Sequence, residues 1–161
     1  MKQLIFLTIL LLASNKLTAQ TLEETVGYLA YVIDENPPME NRKAEFKMYK
    51  NVENEGFVYE LSRTENGKIM NSITFLIFFS DIKSIQLIEG SDKKYVLYLG
   101  LGKDERRKSS LTGFKNGLRE EYIDEMYITL SDRKETAERV KKAFKHLFKL
   151  KDVRVIDLNM F

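Results

Sequence analysis

Ile69-Met70-Asn71-Ser72-Ile73-Thr74-Phe75-Leu76-Ile77-Phe78-Phe79, closed by Ser80-Asp81, is the stretch on which the fold turns. From Ile73 onward it is apolar on both alternating faces. A strand of that kind has to be covered on both sides, which predicts a central place in a sheet. Ser80-Asp81 then predicts a corner, because short polar side chains favour turns through local hydrogen bonds.

Working outward toward the N-terminus, the two-residue period persists. Ala44, Phe46 and Met48 alternate with charged residues, and Phe57, Tyr59 and Leu61 alternate with polar ones, so both segments read as half-buried strands. Glu65-Asn66-Gly67 stands between two such runs, and Asn-Gly supplies the positive φ angles of a tight hairpin. Toward the C-terminus, Ile82 to Glu89 and Tyr95 to Leu101 read as strands around a Gly90-Ser91-Asp92 turn. Gly102 to Gly117 is long and polar, with a short strand expected near Lys108 to Leu111 and a turn at Asn116-Gly117. Met126, Ile128 and Leu130 alternate in the last clear strand. Six or seven strands joined mostly by short turns predict an antiparallel sheet, since parallel strands need long crossovers.

Helical periodicity frames this region. Thr21-Leu22-Glu23-Glu24 fits a capping box, and Leu22, Val26, Leu29 and Ile33 follow as one apolar stripe, widened by Tyr28 and Tyr31. Asn36-Pro37-Pro38 ends it, because a proline disfavours helical geometry at the residue before it. The stripe is expected to dock on the sheet and cover Ile73–Phe79, since an exposed run of that type promotes aggregation. The second helix carries Ala137, Val140, Ala143, Phe144, Leu147 and Phe148 on one face, with Ser131 or Asp132 as the expected cap. Lys141, Lys145 and Lys149 share another face near its C-terminal end, where positive charge opposes the dipole. Asp152 to Phe161 is an apolar-rich tail, readable as a short strand or a packed extension.

The fold class expected is α+β: an antiparallel six- to seven-stranded bent sheet or partly open barrel, with an N-terminal helix and a C-terminal closing helix. The strand order, the corner Phe79-Ser80-Asp81-Ile82-Lys83-Ser84-Ile85 and the amphipathic helix Glu135-Thr136-Ala137-Glu138-Arg139-Val140-Lys141-Lys142-Ala143-Phe144 resemble the pleckstrin-homology-like superfold. The same helix is similar to the closing helices of small secreted bacterial proteins of unassigned function. The resemblance covers roughly residues 44–150. Lipid-binding members of that superfold carry a Lys…Arg-x-Arg pattern across their first two strands. Here Lys47 and Lys50 are present, but Arg63 has no second arginine two residues away, so phosphoinositide binding is not implied.

The first nineteen residues read as a secretory signal peptide. Lys2 makes the start positive, Leu4 to Ala13 is a nearly unbroken apolar run, and a small residue, Ala19, precedes the expected cut. A run of about ten apolar residues is well short of the roughly 20 that a spanning helix needs. The expectation is therefore residues 1–19 as leader, 20–161 as a single domain, and a secreted or periplasmic protein with no membrane span after cleavage. Losing Lys2 and Lys16 also leaves 24 basic and 24 acidic side chains, so the net +2 of the whole chain belongs to the leader. A chain near neutrality gives no general pull toward nucleic acid. With no cysteine there is no disulfide, thiolate metal site or cysteine nucleophile.

Motifs with chemical content are absent or incomplete. His146 is the only histidine, so a histidine pair cannot hold a metal and a triad has one candidate base. Its place beside the Phe144–Phe148 stripe reads as a boundary position. No serine stands in G-x-S-x-G, and Gly100-Leu101-Gly102-Lys103 fails as a phosphate loop because Asp104 follows the lysine. Glu120-Glu121 point to opposite faces in a strand and make no paired-carboxylate site. No catalytic, cofactor or metal-binding residue is assigned. The anion- or partner-contact candidates are Lys103, Arg106, Arg107 and Lys108, with Lys115 nearby, although Asp104 and Glu105 dilute their field. The function expected is a non-enzymatic binding or structural domain, partnered by an envelope protein. A carrier or sensor of a small apolar ligand in the sheet interior is the alternative, with Tyr59, Phe75, Tyr95 and Tyr98 as its lining, and a motif-free hydrolase comes third.

Overall fold

The computed structural model describes residues 21–37, 41–90, 94–102, 110–114, 118–130 and 133–160. Helix α1 (Leu22–Glu35) opens on the expected capping box: Thr21 Oγ1 accepts from the Glu24 N–H at 3.1 Å, and Glu24 Oε2 accepts from the Thr21 N–H at 2.8 Å. Leu29, Val32 and Ile33 are buried, while Tyr31 faces solvent. At the far end the Asn36 side-chain amide donates to the Val32 carbonyl, closing the last turn before Pro37.

Strands β1 (Arg42–Lys50), β2 (Glu55–Glu65) and β3 (Lys68–Phe78) form an antiparallel meander. Asn66 and Gly67 take φ of 49° and 75°, the left-handed pair that a two-residue hairpin requires. The 3₁₀ turn Phe79–Asp81 makes the corner and leads into β4 (Ile82–Glu89) and β5 (Tyr95–Leu101), both with the boundaries read from the sequence. Strand β6 (Ser110–Phe114) returns to pair with β3, β7 (Leu118–Tyr122) pairs with β6 at the sheet edge, and β8 (Glu125–Thr129) goes back to β5. After α2 (Lys134–Leu150), a two-residue strand β9 (Ile156–Asp157) runs parallel to β4 and ends in a 3₁₀ turn, Leu158–Met160.

The α+β class with two framing helices stands, but the single bent sheet does not. Among the described residues nine strands divide into two open sheets, β1-β2-β3-β6-β7 and β8-β5-β4-β9, neither closed into a barrel. The physical reason is the corner. It takes β4 out of the plane of β3, and the β6–β7 hairpin then fills the edge of β3 that β4 leaves unpaired. The tail, open between strand and extension in the sequence, becomes β9. The expected cap of α2 is also replaced. Arg133 stands at that position without a side-chain cap, and Ser131 and Asp132 lie outside the described residues.

β3 is the middle strand of its sheet, as its apolar run demands. α1 docks on that sheet as expected, but it rests on the edge strand β1 and on α2 rather than on β3. Of the β3 side chains only Ile77 is fully buried, and on the outer face the Phe78 ring lies 6.0 Å from that of Tyr49.

α2 is the plug between the sheets. Phe144 meets Phe46 edge-on at 5.6 Å and Phe57 at 5.7 Å on the first sheet, and Phe148 meets Phe79 of the corner at 6.4 Å. α2 also packs on β4 and β5, whose Ile85, Leu97 and Leu99 are completely buried. Each such side chain contributes about 1.5–3 kcal/mol of hydrophobic stabilisation. The heptad-like stripe of α2 therefore fixes both sheets at once.

Candidate functional site

The lysine face of α2 looks toward the tail rather than into open solvent. Lys141 and Lys145, four residues apart and so on one helical face, both donate to the carboxylate of Asp157 in β9. Lys141 Nζ lies 2.5 Å from Oδ1 and Lys145 Nζ lies 2.7 Å from Oδ2. Lys141 donates again, to Asn159 Oδ1 at 2.9 Å, and the Asn159 N–H donates to Asp157 Oδ1 at 3.1 Å. Only 12% of the Lys141 side chain and 9% of the Asp157 side chain remain exposed. Burial by itself would raise the Asp157 pKa. The hydrogen bonds from Lys141, Lys145 and the Asn159 N–H outweigh it and bring the carboxyl down to about 2.

These groups form the floor of an open groove of about 480 Å³. Lys134, Glu138 and Lys142 line one wall from α2, and Leu87, Glu89 and Tyr95 line the other from β4 and β5. Lys149, the third lysine of the row, is exposed and does not line the groove. Each ammonium group carries three N–H donors. Of the six on Lys141 and Lys145, Asp157 and Asn159 engage three. The arrangement can therefore hold an acceptor group by charge-assisted hydrogen bonds without first breaking the Asp157 contacts.

A second charged cluster is structural. Glu55, at the start of β2, receives Lys50 and Lys151 on its two oxygens, at 2.5 and 2.7 Å, and ties the β1–β2 turn to the end of α2. Those two lysines draw its pKa down to about 2. On the outer face of the second sheet, Tyr98 and Tyr127 face each other at 5.2 Å, and both phenol pKa values are raised, first by desolvation and further by Glu125. Among the described residues no three His, Cys, Asp or Glu side chains gather as a metal site, and no helix is long and apolar enough to cross a membrane.

The contact candidates Lys103, Arg106, Arg107, Lys108 and Lys115 lie outside the described residues. Lys141 and Lys145, readable from the sequence as a solvated face, are instead joined through Asp157. Asp157 and Asn159 escaped the sequence reading. Their signal was an acid and an amide alternating with Ile156 and Leu158 in an otherwise apolar tail. His146 sits half-buried on α2. No protein-family model matches this chain, and no curated protein or solved structure is significantly similar to it.

Proposed function

We propose that this chain is an exported, non-enzymatic binding domain of pleckstrin-homology-like build, whose contact surface is the lysine groove of α2. The observation that carries this reading is the Lys141–Asp157–Lys145 cluster on the groove floor, held in place yet with ammonium donors to spare. The leader-like residues 1–19 support export. Two open sheets meeting at the Phe79–Asp81 corner, with α2 between them, support the superfold reading. The ligand is an acidic group, because Lys141 and Lys145 outnumber Asp157 between them and Lys134 and Lys142 offset the nearby Glu89 and Glu138.

The packed interior counts against a carrier of an apolar ligand. Phe46, Phe57, Phe144 and Phe148 fill the space between α2 and the first sheet with ring contacts of 5.2–5.9 Å. The test is calorimetric titration of the exported protein with a triglutamate peptide at low and high salt. Binding should weaken with salt, and the rim variant Lys134→Glu/Lys142→Glu, which leaves the Asp157 contacts intact, should weaken it at least about tenfold. No binding, or equal binding by that variant, overturns the reading.

A further inference from the structure

The tail lines the groove and is held along the β4 edge as a bound peptide would be. Ile156 and Asp157 pair with Ser84 and Ile85 as a two-residue parallel strand. The chain then leaves the edge, and the side chain of Asn159 continues the ladder in place of backbone. Its Oδ1 accepts from the Leu87 N–H at 2.5 Å and its Nδ2 donates to the Leu87 carbonyl at 2.8 Å. Ile156 is 60% exposed and Leu158 39% exposed, so this segment is held by backbone pairing, one amide and one carboxylate rather than by apolar burial. Those are the forces of strand addition, in which main-chain bonds supply affinity and alternate side chains supply specificity. Leu87 turns its backbone groups toward the tail, and by the two-residue period Glu89 turns its own to the same side, where the groove opens.

We propose that the β4 edge and the lysine face of α2 are a docking site for an extended acidic segment of a partner protein, which replaces the tail as the strand beside β4. The tail is then the resident competitor. Its Asp157 marks the position at which the incoming segment needs a carboxylate, and Asn159 sets how hard the tail is to displace. Charge complementarity selects the occupant: with Asp157 displaced, Lys134, Lys141, Lys142 and Lys145 outnumber Glu89 and Glu138 along the groove and favour an acidic side chain beside Lys141 and Lys145. This proposal rests on the binding reading above, with one difference: the partner's carboxylate takes the place of Asp157 on Lys141 and Lys145, and its backbone takes the place of β9.

The test is amide and lysine side-chain NMR of the exported protein, titrated with a capped peptide of residues 155–160 (VIDLNM), with its D157N counterpart, and with triglutamate. The acidic tail peptide should shift Ser84, Ile85 and Leu87 amides together with Lys141 and Lys145, and the D157N peptide should bind at least about tenfold more weakly. In the Asn159→Ala protein the tail loses its clamp, and the acidic peptide should bind at least about threefold more tightly, because a resident competitor lowers apparent affinity. Should that variant fail to fold, the wild-type comparison of the two peptides decides. Lysine shifts with unmoved β4 amides overturn strand addition and leave the anion-binding reading intact. Dimerisation of Asn159→Ala through its own tail, with no response to peptide, overturns the proposal in favour of a second copy as occupant. Silence toward all three probes overturns both readings.

Discussion

Lys141 and Asp157 meet at 2.5 Å on the seam between α2 and β9, both nearly withdrawn from solvent. A pair in that position is asymmetric in its response to mutation. Removing one partner strands the other charge, whereas replacing both by apolar groups removes the desolvation cost along with the attraction. Asp157→Asn should therefore cost about 1–3 kcal/mol. Lys141→Met/Asp157→Leu should cost less than Asp157→Leu alone. Urea unfolding of wild type, Lys141→Met, Asp157→Leu and the double variant checks this, and an additive double variant would contradict it.

Acid should loosen the same seam. Asp157 and Glu55 both have folded pKa values of about 2, against ordinary values of 3.8 and 4.5. A carboxyl whose folded pKa lies below its unfolded one adds stability that is fully present above the unfolded value. That stability is lost as pH falls through the folded value. Stability should therefore be flat above about pH 5 and decline from about pH 4.5 to about pH 2. Asp157→Asn should flatten the decline, and thermal melts at half-unit pH steps measure it. A decline that is unchanged in the variant would show that other carboxyl groups carry it.

Phe144 touches both Phe46 and Phe57 and has no exposed surface. Phe144→Ala should cost about 3–5 kcal/mol, the transfer term plus the cavity left between helix and sheet. The capping variant Thr21→Ala should cost only about 1 kcal/mol and fray α1 locally. Denaturant midpoints distinguish the two, and amide exchange should confine the second effect to the first turn of α1.

Gly56 in β2 is a test of close backbone approach. A Cβ there would stand 1.9 Å from the Ile77 carbonyl oxygen across the β2–β3 ladder. That neighbour is backbone in the middle of a sheet and cannot swing aside. Gly56→Ala should therefore break the pairing at Gly56–Phe78 and destabilise by more than about 2 kcal/mol. Loss of protection at the Phe57 and Phe78 amides is the expected sign. A variant as stable as wild type would mean the strands separate there at little cost.

Local rules carried the fold a long way. Asn66-Gly67 announced its hairpin, Thr21-x-x-Glu24 its cap, and the α2 stripe its whole buried face, because each depends on neighbours within a few residues. What local rules could not supply was partnership at a distance. The apolar run of β3 required cover, and α1 was the expected source, but α1 rests on the edge strand β1 of that sheet and on α2. The division into two sheets depends on β6 reaching back to β3, a pairing that no turn signal encodes. The candidate site was the least legible part. The lysine row was visible, but its meaning depends on Asp157, twelve residues beyond Lys145, and on Asn159, which meets Leu87 across 72 residues.

The surface at which an acidic ligand touches the domain separates the lysine groove from every other candidate. Heteronuclear NMR of the protein with triglutamate gives that footprint residue by residue. The largest shifts should fall on Lys134, Lys141, Lys142 and Lys145 of α2 and on the facing Leu87–Glu89 segment. A footprint centred elsewhere, such as the Tyr98–Tyr127 face of the second sheet, or none at millimolar peptide, would contradict it.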